Sequence, residues 1–239
     1  MGKTSLIEWT EATWNPWHGC NKISPGCAHC YMYRDKIRYG QDPARVSRGK
    51  TTFELPLRWR QPRLIFTCSW SDFFIEEADS WRASAWDIIR ATPQHTYQIL
   101  TKRPERIADQ LPTDWPLPNV WLGVSVENRR FYWRIAALRQ VAAFVRFLSL
   151  EPLLEGMPDL PLDGISWVIV GGESGPRCRP IKVDWVCTIR DRCRDAGIPF
   201  FFKQWGGVRK QRTGRSLEGR IWNELPSQSN EFVAISRSA

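Results

Sequence analysis

The stretch "WVIVGGESG" (residues 167–175) joins a run of large apolar residues to a cluster of small and polar ones. The run at 167–170 has no polar residue at alternate positions, which is typical of a parallel strand buried on both faces. Two glycines end the run, and Glu173 and Ser174 follow where parallel α/β sheets carry their binding sites. The stretch therefore predicts one strand of a parallel sheet with polar groups at its carboxyl end.

The same pattern recurs in five other stretches: "LIFTCSWSD" (64–72), "TYQILTKRPE" (96–105), "VWLGVSVEN" (120–128), "VRFLSLEPL" (145–153) and "PFFFKQWGG" (199–207). Helices are predicted between them at 78–91, 128–140 and 183–196. Strands that alternate with helices at these spacings form βα units and a parallel sheet. Six units, with a possible first strand before Cys20, fit a partial barrel or an open doubly wound sheet. We predict an α/β fold with a partial (β/α)6, TIM-like barrel of parallel strands.

One domain is predicted over residues 8–207, with a cysteine loop at 18–31. Residues 41–62 are polar and charged and predict an excursion from the barrel, and 208–239 predict a C-terminal extension. No apolar run is long enough to span a membrane, and the first residues lack the apolar core of a signal peptide. We therefore expect a cytoplasmic protein with no membrane partner.

The chain of 239 residues is basic, with a formal net charge of +9 and 14 tryptophans. A basic balance favours a polyanionic partner, most simply DNA or RNA, through neutralisation of phosphates. Two stretches that mix tryptophan with arginine, "LRWRQPR" (57–63) and "RRFYWR" (129–134), could stack on bases. An amphipathic helix or an exposed loop with solvated arginines explains these two stretches equally well.

Polar residues follow every predicted strand. Each one alone could be a helix cap or a turn residue. Because the carboxyl ends of parallel strands meet at one edge, the set as a whole predicts a site there. The set comprises Ser69, Ser71, Asp72, Thr101, Lys102, Ser125, Glu127, Asn128, Glu151, Gly171, Gly172, Glu173, Ser174, Lys203 and Gln204.

The stretch "HGCNKISPGCAHCY" (18–31) contains Cys20, Cys27 and Cys30 and no fourth cysteine nearby. Zinc is one interpretation, with His18 or His29 as the fourth ligand, but structural zinc sites join two knuckles and the second is missing here. Three thiols in a loop rich in Gly, Pro and Asn cannot all be core. The other four cysteines are scattered, and we expect free thiols in or near the core.

An iron–sulfur cluster explains the three cysteines better. A four-iron cluster takes four cysteine ligands, so three leave one iron open to a small molecule. This arrangement serves enzymes that bind S-adenosylmethionine and cleave it reductively to a radical. The loop lies between the possible first strand and a predicted helix at 31–40, which places the cluster at the carboxyl edge of the sheet.

Seven motifs in order resemble those of a known family: "TWNPWHGCNKISPGCAHCYMYR", "RLIFTCSWSDFF", "TPQHTYQILTKRPERI", "LPNVWLGVSVEN", "VRFLSLEPLL", "WVIVGGESGPRCRP" and "PFFFKQWG". Over about residues 8–207 the chain resembles a phage-associated three-cysteine-motif family. That family is a domain of unknown function grouped with the radical S-adenosylmethionine superfamily. The usual spacing in the superfamily is C-x3-C-x2-C, whereas this chain has C-x6-C-x2-C.

The resemblance implies a radical-SAM-like fold and a role for each matching residue. Cys20, Cys27 and Cys30 would bind a [4Fe–4S] cluster. His29, Ser69, Ser71, Asp72, Ser125 and Glu127 would contact S-adenosylmethionine, and Glu151, Glu173, Lys203 and Gln204 would face the substrate or the nucleoside. The "GGE" at 171–173 lies too late in the chain for its usual role beside the methionine amino group, so Ser69, Ser71 and Asp72 are preferred for that role.

The implied function is reductive cleavage of S-adenosylmethionine to a 5′-deoxyadenosyl radical that abstracts hydrogen from the substrate. A reductant such as flavodoxin or ferredoxin would supply the electron. Charge and the family resemblance favour nucleic acid as the substrate, through base modification or lesion repair. Two alternatives are a radical enzyme that acts on a peptide or small molecule and a non-catalytic nucleic-acid-binding protein stabilised by zinc or a cluster.

Overall fold

A single parallel sheet of seven strands forms the centre of the computed structural model, which describes residues 5–227. Its strands follow one another in chain order across the sheet, and the sheet curls into a half-barrel. They are β1 (Ala12–Trp14), β2 (Leu64–Thr67), β3 (Thr96–Thr101), β4 (Val120–Ser125), β5 (Val145–Leu150), β6 (Trp167–Gly171) and β7 (Phe200–Gln204). The predicted partial barrel of parallel strands is confirmed, and β1 is the predicted first strand.

Helices connect these strands. The α-helices are α1 (Tyr31–Arg38), α2 (Asp79–Ala91), α3 (Tyr132–Arg139), α4 (Val183–Asp195) and α5 (Lys210–Thr213). The 3-10 helices are Pro25–Cys27, Leu55–Arg58, Glu76–Ala78, Pro104–Arg106, Ala108–Gln110 and Arg129–Phe131. Two antiparallel pairs of two-residue strands join Trp17–His18 to Ser47–Arg48 and Ser216–Leu217 to Arg220–Ile221. The predicted helices at 78–91 and 183–196 are confirmed to within a residue, and the one at 128–140 begins as a 3-10 turn.

The two faces of the sheet are covered differently. One face packs against α2, α3 and α4 in the main core, which includes Ile89, Leu138 and Ile189. Helices of a parallel barrel lie outside the strands, so this face is convex. The concave face carries a separate cluster that is mostly aromatic: Trp9, Phe66, Trp121, Val145, Phe147, Trp167, Ile169 and Phe201.

Side chains on the concave face become smaller and more polar toward the carboxyl edge. Along β4 the residues on this face are Trp121, Gly123 and Ser125, since successive side chains alternate between the faces. Along β5 they include Phe147 and then Ser149. The aromatic cluster therefore fills the amino-terminal part of the half-barrel, and smaller, polar residues lie toward its carboxyl edge.

The segment after β7 packs on the barrel as far as the structure describes it. Leu217 is fully buried, Asn223 bridges to Phe201, and the indole of Trp167 donates to the Glu224 carbonyl oxygen over 2.8 Å. Residues 228–239 of the predicted C-terminal extension lie outside the described residues. Within residues 5–227, no helix has the length and apolar character that a membrane span needs.

We predict that Gly123→Ala destabilises the fold by about 1–3 kcal/mol through overpacking. A Cβ at this position would lie 2.5 Å from the Phe147 ring, which rests on the Gly123 backbone. Urea unfolding measures the change. The double variant Gly123→Ala/Phe147→Leu should lose clearly less than the sum of the two single variants, because the ring that clashes is gone. Additive losses would contradict this packing.

Candidate active site around the three-cysteine loop

The cysteine loop (residues 18–31) lies at the carboxyl edge of the sheet, next to the turn that follows β2. Gly19 receives two contacts from this turn: its N–H donates to the Trp70 carbonyl oxygen over 3.0 Å, and its own carbonyl accepts from Ser71 Oγ over 2.6 Å. The φ of Gly19 is +98°, and a Cβ there would overlap the Arg45 carbonyl. Only glycine allows this close approach.

All three cysteines of the loop are half-buried free thiols. Burial raises the pKa of the Cys20 thiol to about 12, and the Asp72 and Cys27 charges add to this rise. Burial also raises the pKa of Cys30, and the charge of Cys27 adds to it. Within residues 5–227, no three His, Cys, Asp or Glu side chains are arranged to hold one metal ion.

The two histidines near the cysteines have other contacts. His29 Nδ1 lies 2.9 Å from a carboxylate oxygen of Glu173. The His18 ring packs edge-on against Trp70, with a centroid distance of 6.3 Å. Burial lowers the pKa of His18, and the charge of Lys36 contributes to the shift.

Asp72 anchors the loop to the ends of β2 and β3. Its carboxylate is 5% exposed and accepts hydrogen bonds from Thr101 Oγ1 over 2.6 Å and from the Lys102 N–H over 2.9 Å. It also pairs with Arg103 at 3.2 Å. Arg103 in turn lies 3.9 Å from Cys20 Sγ and donates to the Asn21 carbonyl over 3.0 Å. A buried carboxylate thus holds a cation beside the first cysteine.

Glu127 anchors the middle of the loop to the end of β4. It is fully buried, accepts from Ser24 Oγ over 2.6 Å, and pairs with Lys102 at 2.8 Å and Arg134 at 3.0 Å. Burial would raise its pKa, but Lys102, Ser24 and Arg134 together outweigh burial, and the pKa is lowered. Gly26 lies directly over this carboxylate, because a Cβ there would overlap it. Ser24 Oγ also lies 3.6 Å from Cys27 Sγ.

Glu173 anchors the end of the loop to the end of β6. It is 6% exposed and accepts 2.9 Å hydrogen bonds from both the backbone N–H and Nε of Arg179. Burial would raise its pKa, but the hydrogen bonds from Arg179 and His29 outweigh burial and lower the pKa to about 2. Arg179 also donates to the Pro25 carbonyl over 3.0 Å. Glu173 therefore reaches the loop both directly, at His29, and through Arg179.

The other predicted site residues lie at the same edge of the sheet. Ser69, Ser71 and Gln204 form hydrogen bonds within the protein: Ser69 Oγ accepts from Asn15 Nδ2 over 2.9 Å, and Gln204 Nε2 donates to the Gly172 carbonyl over 3.3 Å. Ser125 is 3% exposed on the concave face. Glu151 and Lys203 form an ion pair at 2.8 Å and are only partly exposed. Their assignment to cofactor or substrate stays a prediction.

The two tryptophan–arginine stretches do not supply equal stacking surfaces. Trp59 is 7% exposed and packs in the main core, so the prediction that it could stack on a base is wrong. Arg134 is buried against Glu127. Trp133 is 47% exposed and keeps an accessible ring.

Sequence reasoning missed four residues that hold the site: Ser24, Arg103, Arg134 and Arg179. Each is the partner of a predicted carboxylate or lies beside one of the cysteines. Ser24 and Arg103 lie far in the chain from their carboxylate partners, so their place within the quoted motifs was the only signal. Arg134 and Arg179 lie only seven and six residues from Glu127 and Glu173, a local spacing that could have been used.

The fold and the site define a class: an α/β half-barrel protein with a three-cysteine loop clamped to the carboxyl edge of its parallel sheet. More particularly, the chain belongs to a family described as "Protein of unknown function (DUF5131)", whose model matches residues 4–226. No curated protein and no solved structure matches the chain.

We predict that Glu173→Gln lowers the free energy of unfolding near pH 7 by on the order of 3 kcal/mol, the equivalent of a pKa lowered from 4.5 to about 2. The unfolded chain binds this proton near pH 4.5 and the folded chain only near pH 2. The stabilisation is therefore present above pH 4.5 and is lost as the pH falls toward 2.

Urea unfolding at a series of pH values measures this effect. The difference between the wild type and Glu173→Gln should shrink between about pH 5 and pH 2. The control Glu105→Gln removes an exposed carboxylate and should change little. A constant difference over this pH range would exclude the ionised pair as the source.

Proposed function

We propose that this chain is a radical S-adenosylmethionine enzyme that acts on nucleic acid, with Cys20, Cys27 and Cys30 as ligands of a [4Fe–4S] cluster. The observation that carries the proposal is the position of three free thiols in one loop at the carboxyl edge of a parallel half-barrel. When bound, the cluster would supply the electron that cleaves S-adenosylmethionine to a hydrogen-abstracting radical.

The donor set suits an iron–sulfur cluster. Cysteines of a four-iron cluster bind different irons, and three thiols of one loop would supply three of the four ligands. The Arg103 guanidinium, 3.9 Å from Cys20 Sγ, would also stabilise the thiolate form that a cluster ligand needs.

The chain's own residues would orient the reactants and exclude water. Asp72, Glu127 and Glu173 hold the loop at three points. The aromatic cluster closes the half-barrel from the amino-terminal side. The Glu151–Lys203 pair, which is partly exposed, would offer hydrogen-bonding groups to a nucleoside at the carboxyl edge.

Nucleic acid is the proposed substrate because of the net charge of +9. A base in a duplex would have to be extruded to reach the carboxyl edge, so unpaired or damaged bases are the favoured targets. We further propose a cytoplasmic location and a flavodoxin- or ferredoxin-type reductant. The motifs imply a phage association and a radical-SAM-like fold, and both are part of the proposal.

Anaerobic reconstitution with iron and sulfide tests the proposal. The wild type should turn brown, bind about four irons per chain and, when reduced, release methionine and 5′-deoxyadenosine from S-adenosylmethionine. Cys27→Ser should lose the colour and all cleavage. The matched control Cys187→Ser, on α4 away from the loop, should keep both. A colourless wild-type protein with one zinc and no iron would support the non-catalytic alternative and overturn the enzyme.

A second prediction concerns Gly26, which is not a cluster ligand but lies against the Glu127 carboxylate. Gly26→Ala should lower the iron content several-fold although every cysteine is retained, because its Cβ would collide with the Glu127 carboxylate and push the loop away. Iron per chain and the visible absorbance measure this loss. The control Ala28→Gly changes the same loop without adding an atom and should load normally. Normal loading of Gly26→Ala would contradict the role of Glu127 as an anchor.

A further inference from the structure

Two short segments carry most of the excess positive charge of this chain. Residues 174–182 and 205–215 together contain seven lysines and arginines and no aspartate or glutamate. The rest of the chain holds 27 basic and 25 acidic residues and is nearly balanced. These two segments are therefore among the most basic stretches of the chain.

The fold brings these two segments together. Ser174 and Gly207 form a parallel bridge, and the Gly175 N–H donates to the Gly207 carbonyl over 3.0 Å. The Gly207 N–H returns a 2.8 Å bond to the Glu173 carbonyl. A shallow cavity of about 480 Å³ opens between the segments, lined by Pro180, Trp205 and Thr213 among others.

Of the cations in these segments whose side chains the structure describes, four face solvent. Arg177, Lys182, Arg209 and Arg212 are exposed, and within residues 5–227 none of them forms an ion pair. Arg179 is paired to Glu173, and Arg215 is turned toward the Phe201 ring, so these two do not belong to the set. We name the four exposed residues the basic surface.

The basic surface borders the candidate active site. Arg179 lies in the same segment as Arg177 and donates to the Pro25 carbonyl of the cysteine loop. Glu173, directly before the first segment, contacts His29. Arg177 lies in the turn between Glu173 and Arg179. Its φ is +61°, a conformation that is uncommon for arginine.

We propose that the basic surface binds the phosphodiester backbone of a nucleic acid and so presents a base to the cysteine loop. Clustered cations in segments without acidic residues match a line of phosphates, whereas a peptide or small-molecule substrate would not need them. Trp205, half-buried at the cavity, offers an aromatic edge beside the same surface. The inference rests on the proposed function for its substrate class, but binding can be measured without any cluster.

Fluorescence anisotropy with labelled single-stranded DNA, single-stranded RNA and duplex DNA tests the proposal on the full chain, with and without a reconstituted cluster. The variant Arg209→Gln/Arg212→Gln should weaken single-strand binding on the order of 20-fold at about 0.1 M salt and lower the salt slope by about 1.4, since each phosphate contact contributes about 0.7 to the slope. Arg177→Gln/Lys182→Gln should have a similar effect. The preferred strand identifies DNA or RNA.

A matched control removes the same charge elsewhere. Arg58 and Arg60 are exposed shortly before β2, at the opposite, amino-terminal edge of the sheet. Arg58→Gln/Arg60→Gln should bind nearly as the wild type does. Equal losses in the control and the surface variants, or no binding by the wild type, would overturn the proposal. Competition by polyglutamate as strong as by an oligonucleotide would also overturn it, because the surface would then recognise charge alone.

The two proposals fail in different ways. The surface variants should keep their melting temperature, iron content and cleavage of S-adenosylmethionine without nucleic acid, since none of the four residues touches the cysteine loop in the described part of the chain. A protein that loads iron and cleaves S-adenosylmethionine but ignores oligonucleotides refutes the basic surface and leaves the enzyme. A protein that loses oligonucleotide binding in both surface variants yet never binds iron refutes the enzyme and leaves the surface.

Discussion

The burial of three carboxylates beneath one loop is the constraint on which this site depends. Asp72, Glu127 and Glu173 are each no more than 6% exposed. An unpaired charge in such a position costs several kcal/mol, so each carboxylate needs a cation and hydrogen-bond donors close by. Arg103 pairs with Asp72, and Arg179 pairs with Glu173. Glu127 pairs with both Lys102 and Arg134. The loop is held where these demands are met, at the ends of β2, β4 and β6.

This arrangement explains why the loop can be rich in Gly, Pro and Asn and still be placed accurately. Apolar packing contributes little, because no residue of the 3-10 turn at Pro25–Cys27 is buried. Ion pairs and hydrogen bonds to rigid strand ends position it instead, which is the usual requirement for a preorganised site. The thiols consequently stay partly exposed while the loop backbone is fixed.

The fold was predictable because its signal is local. An uninterrupted apolar run such as 167–170 specifies a strand within a few residues, and the glycines that follow fix its end. The carboxylates were predictable as a group for the same reason. The contacts with the cysteine loop were not, because Ser24 meets Glu127 across 103 positions and His29 meets Glu173 across 144. The burial of Trp59 was missed because its flanking arginines suggested an exposed stretch.

The same pairing also determines where positive charge remains available. Arginines that neutralise buried carboxylates cannot also attract a polyanion, and Arg103, Arg134 and Arg179 are used in this way. Exposed cations in segments that lack acidic residues can act outward, as at Arg177 and Arg209, whose segments adjoin the residues that hold the cysteine loop. Such cations would attract an anionic partner to this part of the molecule.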